Sequence, residues 1–395
     1  MKILVLMDSF KGSLTSIEAG EAVKTGILSS GSDADVSVYP FADGGEGTLD
    51  AFLKADKGSR KIKVNVSDPL GRRIDAGYGV LSDNTAVIEI AQAAGLCLLS
   101  EVERNPLKTT TRGVGELIKH AINNGIRNFI IALGGSATND CGIGMLKELG
   151  FKIFDNSGVP VYDGALGLSN AVSIDSSKIL PFLNECSFVI ACDVKNPLFG
   201  TQGASHVFAP QKGASFKDIE MMDAWFKNFS AITHDIYPDS DPNAEGAGAA
   251  GGLGFAFQAF LNGKMQPGTD VLLCRTDIET EISKSDLIIT GEGRMDEQTA
   301  MGKAPVRIAN LAKKYDKPVI AITGCVGKRA KICHDAGIDA IFPILSHPMT
   351  SDEAMDPNTT RDNIIRTTCE IMRLVQISHL LDIKLTAAVK LYTTV

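Results

Sequence analysis

The sequence predicts an α/β protein: a Rossmann-like doubly wound parallel-sheet domain, split along the chain, that carries an inserted mixed α+β domain. Three observations carry this expectation. An apolar run, a polar loop and a helical stretch follow one another twice near the N-terminus, and the same rhythm returns from Asp286. Between these regions, short strands are joined by turns with no crossover helix. With 395 residues and roughly 150 residues per domain, the chain has room for two or three cores.

In order, Ile3 to Met7 reads as a buried strand, Asp8 to Ser13 as a loop and Ser16 to Leu28 as a helix. Asp35 to Pro40, Ala42 to Gly47 and Thr48 to Lys54 repeat that unit. Lys61 to Val66, Ile74 to Leu81 and Ala86 to Ile90 read as hairpin-linked strands. Val114, Leu117, Ile118, Ala121 and Ile122 form a helical stripe, followed by strands at Phe129 to Leu133 and Phe188 to Cys192. Leu287 to Thr290 is a strand leading into a Gly291-Glu292-Gly293 loop. A helix near Pro305 to Tyr315 and strands at Pro318 to Thr323 and Ala340 to Leu345 complete the pattern. The expected domains are 1–60 with 285–378, an insert at 61–284, and a tail at 379–395.

Composition narrows the function. Hydrophobic residues at 44% and charged residues at 22% exclude a disordered chain and a coiled coil. A net charge of −8 without a long basic run argues against nucleic acid and anionic membrane as partners. The eight cysteines contain no C-x-x-C pair, which suits reduced thiols. The N-terminal apolar run is too short for a signal-peptide core, and nothing approaches the roughly 20 apolar residues of a membrane helix. A cytoplasmic protein is expected.

The 39 glycines fall in clusters, as backbone-lined loops require. Ligands of open parallel sheets bind beyond the strand carboxyl ends. Those ends carry Asp8-Ser9-Phe10-Lys11, Asp43-Gly44-Gly45-Glu46 and Gly291-Glu292-Gly293. Converging carboxylates call for a cation, and hard oxygen ligands suit Mg²⁺ with substrate phosphates; as a purely structural alternative, Asp8 and Asp43 cap helices. Gly134-Gly135-Ser136-Ala137-Thr138-Asn139-Asp140, between a strand and a helix, reads as an anion cradle or as a tight capped turn. Gly246 to Gly254 contains a formal G-x-G-x-x-G, the motif behind an alternative reading as an NAD(P)-dependent oxidoreductase of a small hydroxy acid. It follows a loop, Pro238 to Asn243, so close packing or backbone approach to phosphate is the better account. Lys11, Lys212, Arg294 and Lys303 lie near glycine clusters and could neutralise phosphate or remain solvated. A Walker motif around Gly302-Lys303 fails at Glu297 and Ala304, and the protein-kinase signatures are missing.

Taken together, Asp8 to Ser13, Ala42 to Thr48, Gly134 to Asp140, Ala191 to Leu198, Pro210 to Ala214, Gly246 to Gly254 and Thr290 to Arg294, with Asp296, Gln298 and Gly302-Lys303, resemble the bacterial type I glycerate kinases. The resemblance runs to about residue 378. It departs at Cys141 and Ala209, where glycine is expected. It implies transfer of the γ-phosphoryl of ATP to D-glycerate, with 2-phosphoglycerate favoured, Mg²⁺ as cofactor and an active site in a cleft between the domains. Asp43 or Asp193 would be the general base, with Asp8 and Lys11 catalytic beside them. Ser9, Gly44, Gly45, Gly134, Gly135, Ser136, Thr138, Asn139, Asp140, Lys212, Gly291, Gly293 and Lys303 would bind substrate or phosphate, and Glu46, Glu292 and Asp296 would hold the metal. The sequence leaves homo-oligomerisation open.

Overall fold

The computed structural model describes residues 1–10, 12–42 and 44–392, with side chains described as far as Ser378. The strands are β1 (Lys2–Met7), β2 (Asp35–Val38), β3 (Arg60–Ser67), β4 (Arg73–Val80), β5 (Thr85–Glu89), β6 (Asn128–Ala132), β7 (Lys152–Phe154), β8 (Ser173–Asp175), β9 (Ser187–Ala191), β10 (Lys264–Gln266), β11 (Leu287–Met295), β12 (Val319–Val326) and β13 (Ala340–Pro343). The chain divides into two compact units. Unit 1 is Met1–Ala42 with Asp277–Val395, and unit 2 is Asp43–Thr276.

Unit 1 is built on a five-stranded sheet in the order β13-β12-β11-β1-β2, parallel throughout. Numbered within the unit, this is the doubly wound order 2-1-3-4-5, whose direction reverses between β1 and β11. The continuous apolar run of β1 reflects burial on both faces. Ile3, Val5 and Met7 join Ala19, Val23 and Ile27 of the helix Ser16–Ser29, and Ile364 and Ile371 of the helix Pro357–Tyr392. Leu4 and Leu6, which point the other way, are also fully buried. Thr15 starts the first helix with a capping box to Glu18, satisfying backbone donors the helix cannot pair itself. A Cβ on Gly26 would lie 2.5 Å from the carbonyl of Ile365, so glycine permits the close crossing of these two helices. The latter helix continues as far as Tyr392 through most of the expected tail.

Two local expectations change. Gly291-Glu292-Gly293 is not a loop: β11 continues through it, paired with β12 as far as Met295 opposite Val326. Glycine is needed at 291 because a Cβ there would stand 1.8 Å from the carbonyl of Ile322. The helix Thr48–Ala55 does not return to the β1–β2 sheet. Its Leu49 and Leu53 fill the space over Gly79 of β4, so the chain passes to unit 2 after Ala42, whereas the sequence rhythm suggested residue 60. It returns at Asp277, against an expected 285.

Unit 2 has a six-stranded mixed sheet in the order β10-β9-β6-β5-β4-β3. The pairs β3–β4 and β4–β5 are antiparallel, while β5, β6, β9 and β10 run parallel. The stripe expected from Val114 to Ile122 is the buried face of the helix Arg112–Asn123, which returns the chain from β5 to β6. Phe129 of β6 stacks on Phe188 of β9 with ring centroids 4.9 Å apart, in a core shared with Phe226, Phe229, Phe255 and Phe257. Among the described residues, no helix is long and apolar enough to cross a membrane.

Candidate active site

In unit 1 the reversal of strand order leaves a crevice beyond the carboxyl ends of β1 and β11, where no crossover helix can cover the sheet edge. The Asp8 amide donates to the carbonyl of Gly291 at 2.8 Å, so the first residue after β1 is still tied to the sheet. Its carboxylate then accepts from the Ser9 amide at 2.7 Å. Glu292, one residue further along β11, has Oε1 fixed by the Thr299 hydroxyl at 2.5 Å. Asp8 and Glu292 are only 5% and 7% exposed. Both line a cavity of about 540 Å³ together with Ser9, Gly293, Arg294 and Lys303. Lys303 stands at the start of the helix Ala304–Lys313. Sequence reasoning missed Thr299; its signal was the Asp296-x-x-Thr299 spacing of a capping box.

Asp296 serves differently. It caps the short helix Glu297–Ala300, accepting from the Gln298 amide at 2.9 Å, and pairs with the Arg294 guanidinium at 3.1 Å. Glu46 lies exposed in unit 2. Among the described residues, no three His, Cys, Asp or Glu side chains group closely enough to cage a metal. Asp8 and Glu292 on one cavity still fit Mg²⁺, which takes one or two carboxylates and completes its shell with phosphate oxygens and water. Lys11 and Asp43 lie outside the described residues.

Unit 2 presents a second sheet edge. The Gly134 amide, just beyond β6, donates to the carbonyl of Gly44 at 3.2 Å. A Cβ on Gly134 would lie 2.3 Å from Cα of Gly45. Gly44, at φ +91°, has its Cβ position 2.8 Å from the carbonyl of Ala191 in β9. The Gly44-Gly45 loop is therefore seated on the ends of β6 and β9, and not on the unit 1 edge that the sequence rhythm suggested. Exposed Asp193, two residues past β9, accepts from the Gly268 amide at 3.0 Å beside the same loop. Gly135, at φ +73°, turns the chain into Ser136.

Buried polar groups hold this loop. Lys212 is 2% exposed, and its Nζ donates to Ser136 Oγ at 2.8 Å and to the Thr138 carbonyl at 2.7 Å. Burial depresses its pKa to about 7, against the pull of the Asp140 carboxylate. Asp140 is wholly buried and accepts from the amide and hydroxyl of Thr111 and the amides of Gly142 and Gly144. Burial outweighs these bonds and raises it to about 6. Asn139 donates to Ser205 Oγ at 3.0 Å, while its Oδ1 and the Thr138 hydroxyl are buried without partners. Glu89 at the end of β5 went unnoticed in the sequence, although a charge interrupting Ala-Val-Ile-Glu-Ile marked it. It is 4% exposed, accepts from the Leu49 amide at 2.8 Å, and is pushed above the usual carboxylate range by burial.

The depressed Lys212 has a measurable consequence. Between about pH 7 and 10.5 the unfolded chain holds one more proton at this residue than the folded protein, so stability rises with pH across that window. Urea unfolding at about pH 7.5 and 9.5 should show wild type gaining up to ~2 kcal/mol relative to Lys212→Met. Parallel pH dependences would mean an ordinary lysine.

The 246–254 glycines brace the same loop. Ala250, Gly251 and Gly252 are left-handed in succession; a Cβ on Gly251 would lie 2.1 Å from the Thr138 carbonyl. The Gly251 carbonyl accepts from the Cys141 amide at 2.9 Å. The segment follows no strand, so the formal fingerprint is a packing device and the oxidoreductase alternative loses its motif. Cys141 itself has φ +51°, which explains why glycine is expected there. Ala209, at φ −72°, makes no such demand.

Residues 3–376 match the glycerate kinase family. The chain is 43% identical over 357 residues to "Glycerate kinase" of Bacillus subtilis (strain 168), covering 90% of this chain and 93% of that protein. It is 42% identical over 367 residues to "Glycerate 2-kinase" of Escherichia coli (strain K12), covering 93% and 96%. The crystal structure of "putative glycerate kinase 2" from Salmonella typhimurium LT2 superposes with a TM-score of 0.79 at 38% identity, covering 96% of this chain and 99% of that one. With two parallel-sheet edges carrying carboxylates and glycine loops, and with similarity over nearly its whole length, this chain belongs to the glycerate kinase family and is an enzyme, a kinase.

Proposed function

We propose that the protein transfers the γ-phosphoryl group of ATP to the 2-hydroxyl of D-glycerate, giving 2-phosphoglycerate and ADP. The observation that carries this reading is the pair of buried carboxylates, Asp8 and Glu292, lining one cavity with Lys303, which suits a magnesium-bound polyphosphate. The name "Glycerate 2-kinase" of one relative supports the 2-hydroxyl. Mg²⁺ held at these carboxylates would offset phosphate charge. Phosphoryl transfer asks of the chain mainly positioning and charge stabilisation.

In this reading Asp193 or Asp43 accepts the glycerate hydroxyl proton as its oxygen bonds to the γ-phosphorus and the bond to the β-phosphate oxygen breaks. The amide of Gly268 holds Asp193 at 3.0 Å, which fixes the orientation of its carboxylate. Lys303 and Lys11 would balance phosphate charge. The loop from Gly134 to Thr138 would offer backbone donors to an anion, with Lys212, Asn139 and Asp140 as its supports. Eight dispersed cysteines without a C-x-x-C pair suit a reducing, cytoplasmic setting, and small molecules are the only partners the reading needs.

Purified protein supplied with ATP, Mg²⁺ and D-glycerate should release ADP only when glycerate is present, and ³¹P NMR should show 2-phosphoglycerate. ADP release independent of glycerate would overturn the reading, and a 3-phosphoglycerate resonance would overturn its regiochemistry. Asp193→Asn or Asp43→Asn should lower kcat by ~10² to 10⁴-fold. If both kept wild-type kcat, neither would be the base.

A further inference from the structure

We infer that the nucleotide is bound by unit 1 alone, in the cavity at the β1–β11 reversal, with its phosphates on the carboxylate and lysine floor and its base against an apolar roof from residues 344–355. The inference rests on ATP being the donor. It goes further by assigning the donor to one unit and one wall to the base.

Size separates the two substrates. A cavity of about 540 Å³ lies within the ~300–1,000 Å³ of pockets that enclose drug-sized ligands, and a three-carbon acid would leave most of it empty. The two walls differ in chemistry as the two ends of a nucleotide do. The floor comes from successive strand ends: Asp8 and Ser9 after β1, Glu292 to Arg294 on β11, then Gly324 and Cys325 on β12. The roof comes from the segment after β13, where Ile344, Leu345, Met349, Ala354 and Met355 line the cavity. Thr350 and Ser351 of the same segment line it too, so the roof is mainly apolar and carries no titratable side chain.

The roof is tied down over the floor. Ser13 Oγ donates to Thr360 Oγ1 at 2.6 Å, and Met355 Cε occupies the place a Gly12 Cβ would need, 2.7 Å away. Leu345 and Met355 nevertheless stay 39% and 48% exposed. Flexible methionines and an isoleucine that adapt to a flat ring suit an aromatic base. Apolar side chains left open on a cavity rim beside charged groups mark a ligand site. Strand ends ~4.8 Å apart carry the floor from β1 across β11 to β12, room for a polyphosphate to extend along it.

Cys325 supplies the test, because it is half-buried, unpaired and on the cavity wall. Full-length protein is alkylated with iodoacetamide with and without saturating ADP and Mg²⁺, and each cysteine's labelling rate is read by peptide mass spectrometry. Exposed Cys97 and Cys274, both in unit 2, are internal references. Protection of Cys325 by tenfold or more, with the references unchanged, is expected. Equilibrium dialysis on the same samples reports whether ADP is bound. ADP bound with Cys325 unprotected would overturn the placement and leave the kinase reading intact; no ADP or ATP binding would overturn both. Ala354→Trp, which fills the roof from a half-exposed position, should raise the Kd for ADP tenfold or more while leaving the KM for glycerate unchanged. An unchanged Kd would also overturn the placement.

Discussion

Glu292→Gln is expected to lower kcat by ~10² to 10³-fold, the scale of losing one preorganised electrostatic group in a sheltered site. The substitution keeps the shape and the Thr299 contact but removes the charge, so the thermal midpoint should stay near that of wild type. Charge and orientation can be separated. Thr299→Val keeps the carboxylate and removes only the hydroxyl that bonds it at 2.5 Å, so it should cost less. Because the two act through one contact, their effects should be clearly non-additive in the double variant. Wild-type kcat in Glu292→Gln would remove this carboxylate from the chemistry.

Gly134→Ala should be a severely damaging methyl group, because it falls directly against the Gly44-Gly45 loop. Its Cβ would stand 2.3 Å from Cα of Gly45 and 3.3 Å from the Gly44 carbonyl, so backbone would have to move, with no side-chain rotation to absorb the clash. A shift of about 1 Å in a positioning loop costs ~10²-fold in rate, and kcat/KM should fall by about that much. Gly125→Ala is the control. That position has φ +84° and nothing near its Cβ, so it should lose about 1 kcal/mol of stability and no activity. Equal kcat/KM in Gly134→Ala and wild type would mean that the Gly44-Gly45 loop takes no part in catalysis.

The parallel-sheet rhythm was legible because β1 and β11 are buried on both faces and so are written as unbroken apolar runs. The hairpins of unit 2 were legible through turn residues such as Pro69-Leu70-Gly71. The allegiance of the helix Thr48–Ala55 was not, because strand-loop-helix is the same string whether the helix returns to its own sheet or docks elsewhere. What decides is Gly79, a bare patch on β4 that accepts Leu49 and Leu53. Glycine clusters were visible, but their purposes were not. Gly251 clears space for the Thr138 carbonyl, Gly291 for the Ile322 carbonyl and Gly134 for another loop, and each reason lies in a partner distant in sequence. Lys212 looked like any lysine near a glycine; only burial to 2% exposure shows it bonded beneath a loop.

The central place of β11 in its sheet also imposes a timetable on synthesis. Leu6 of β1 is joined to Thr290 of β11 by a hydrogen bond spanning 284 residues. At ~5–20 residues per second, roughly 15–60 s separate the emergence of the two. Throughout that interval β1 has only short β2 beside it and one unpaired apolar edge, the kind of surface that pairs with other chains. Unit 2 is contiguous and can complete its sheet meanwhile, whereas unit 1 must wait for ribosomal delivery of its middle strand. Nascent chains released before β11 should therefore be aggregation-prone through their first residues, and a ribosome-proximal chaperone holding Lys2–Met7 would be needed most during translation of the insert.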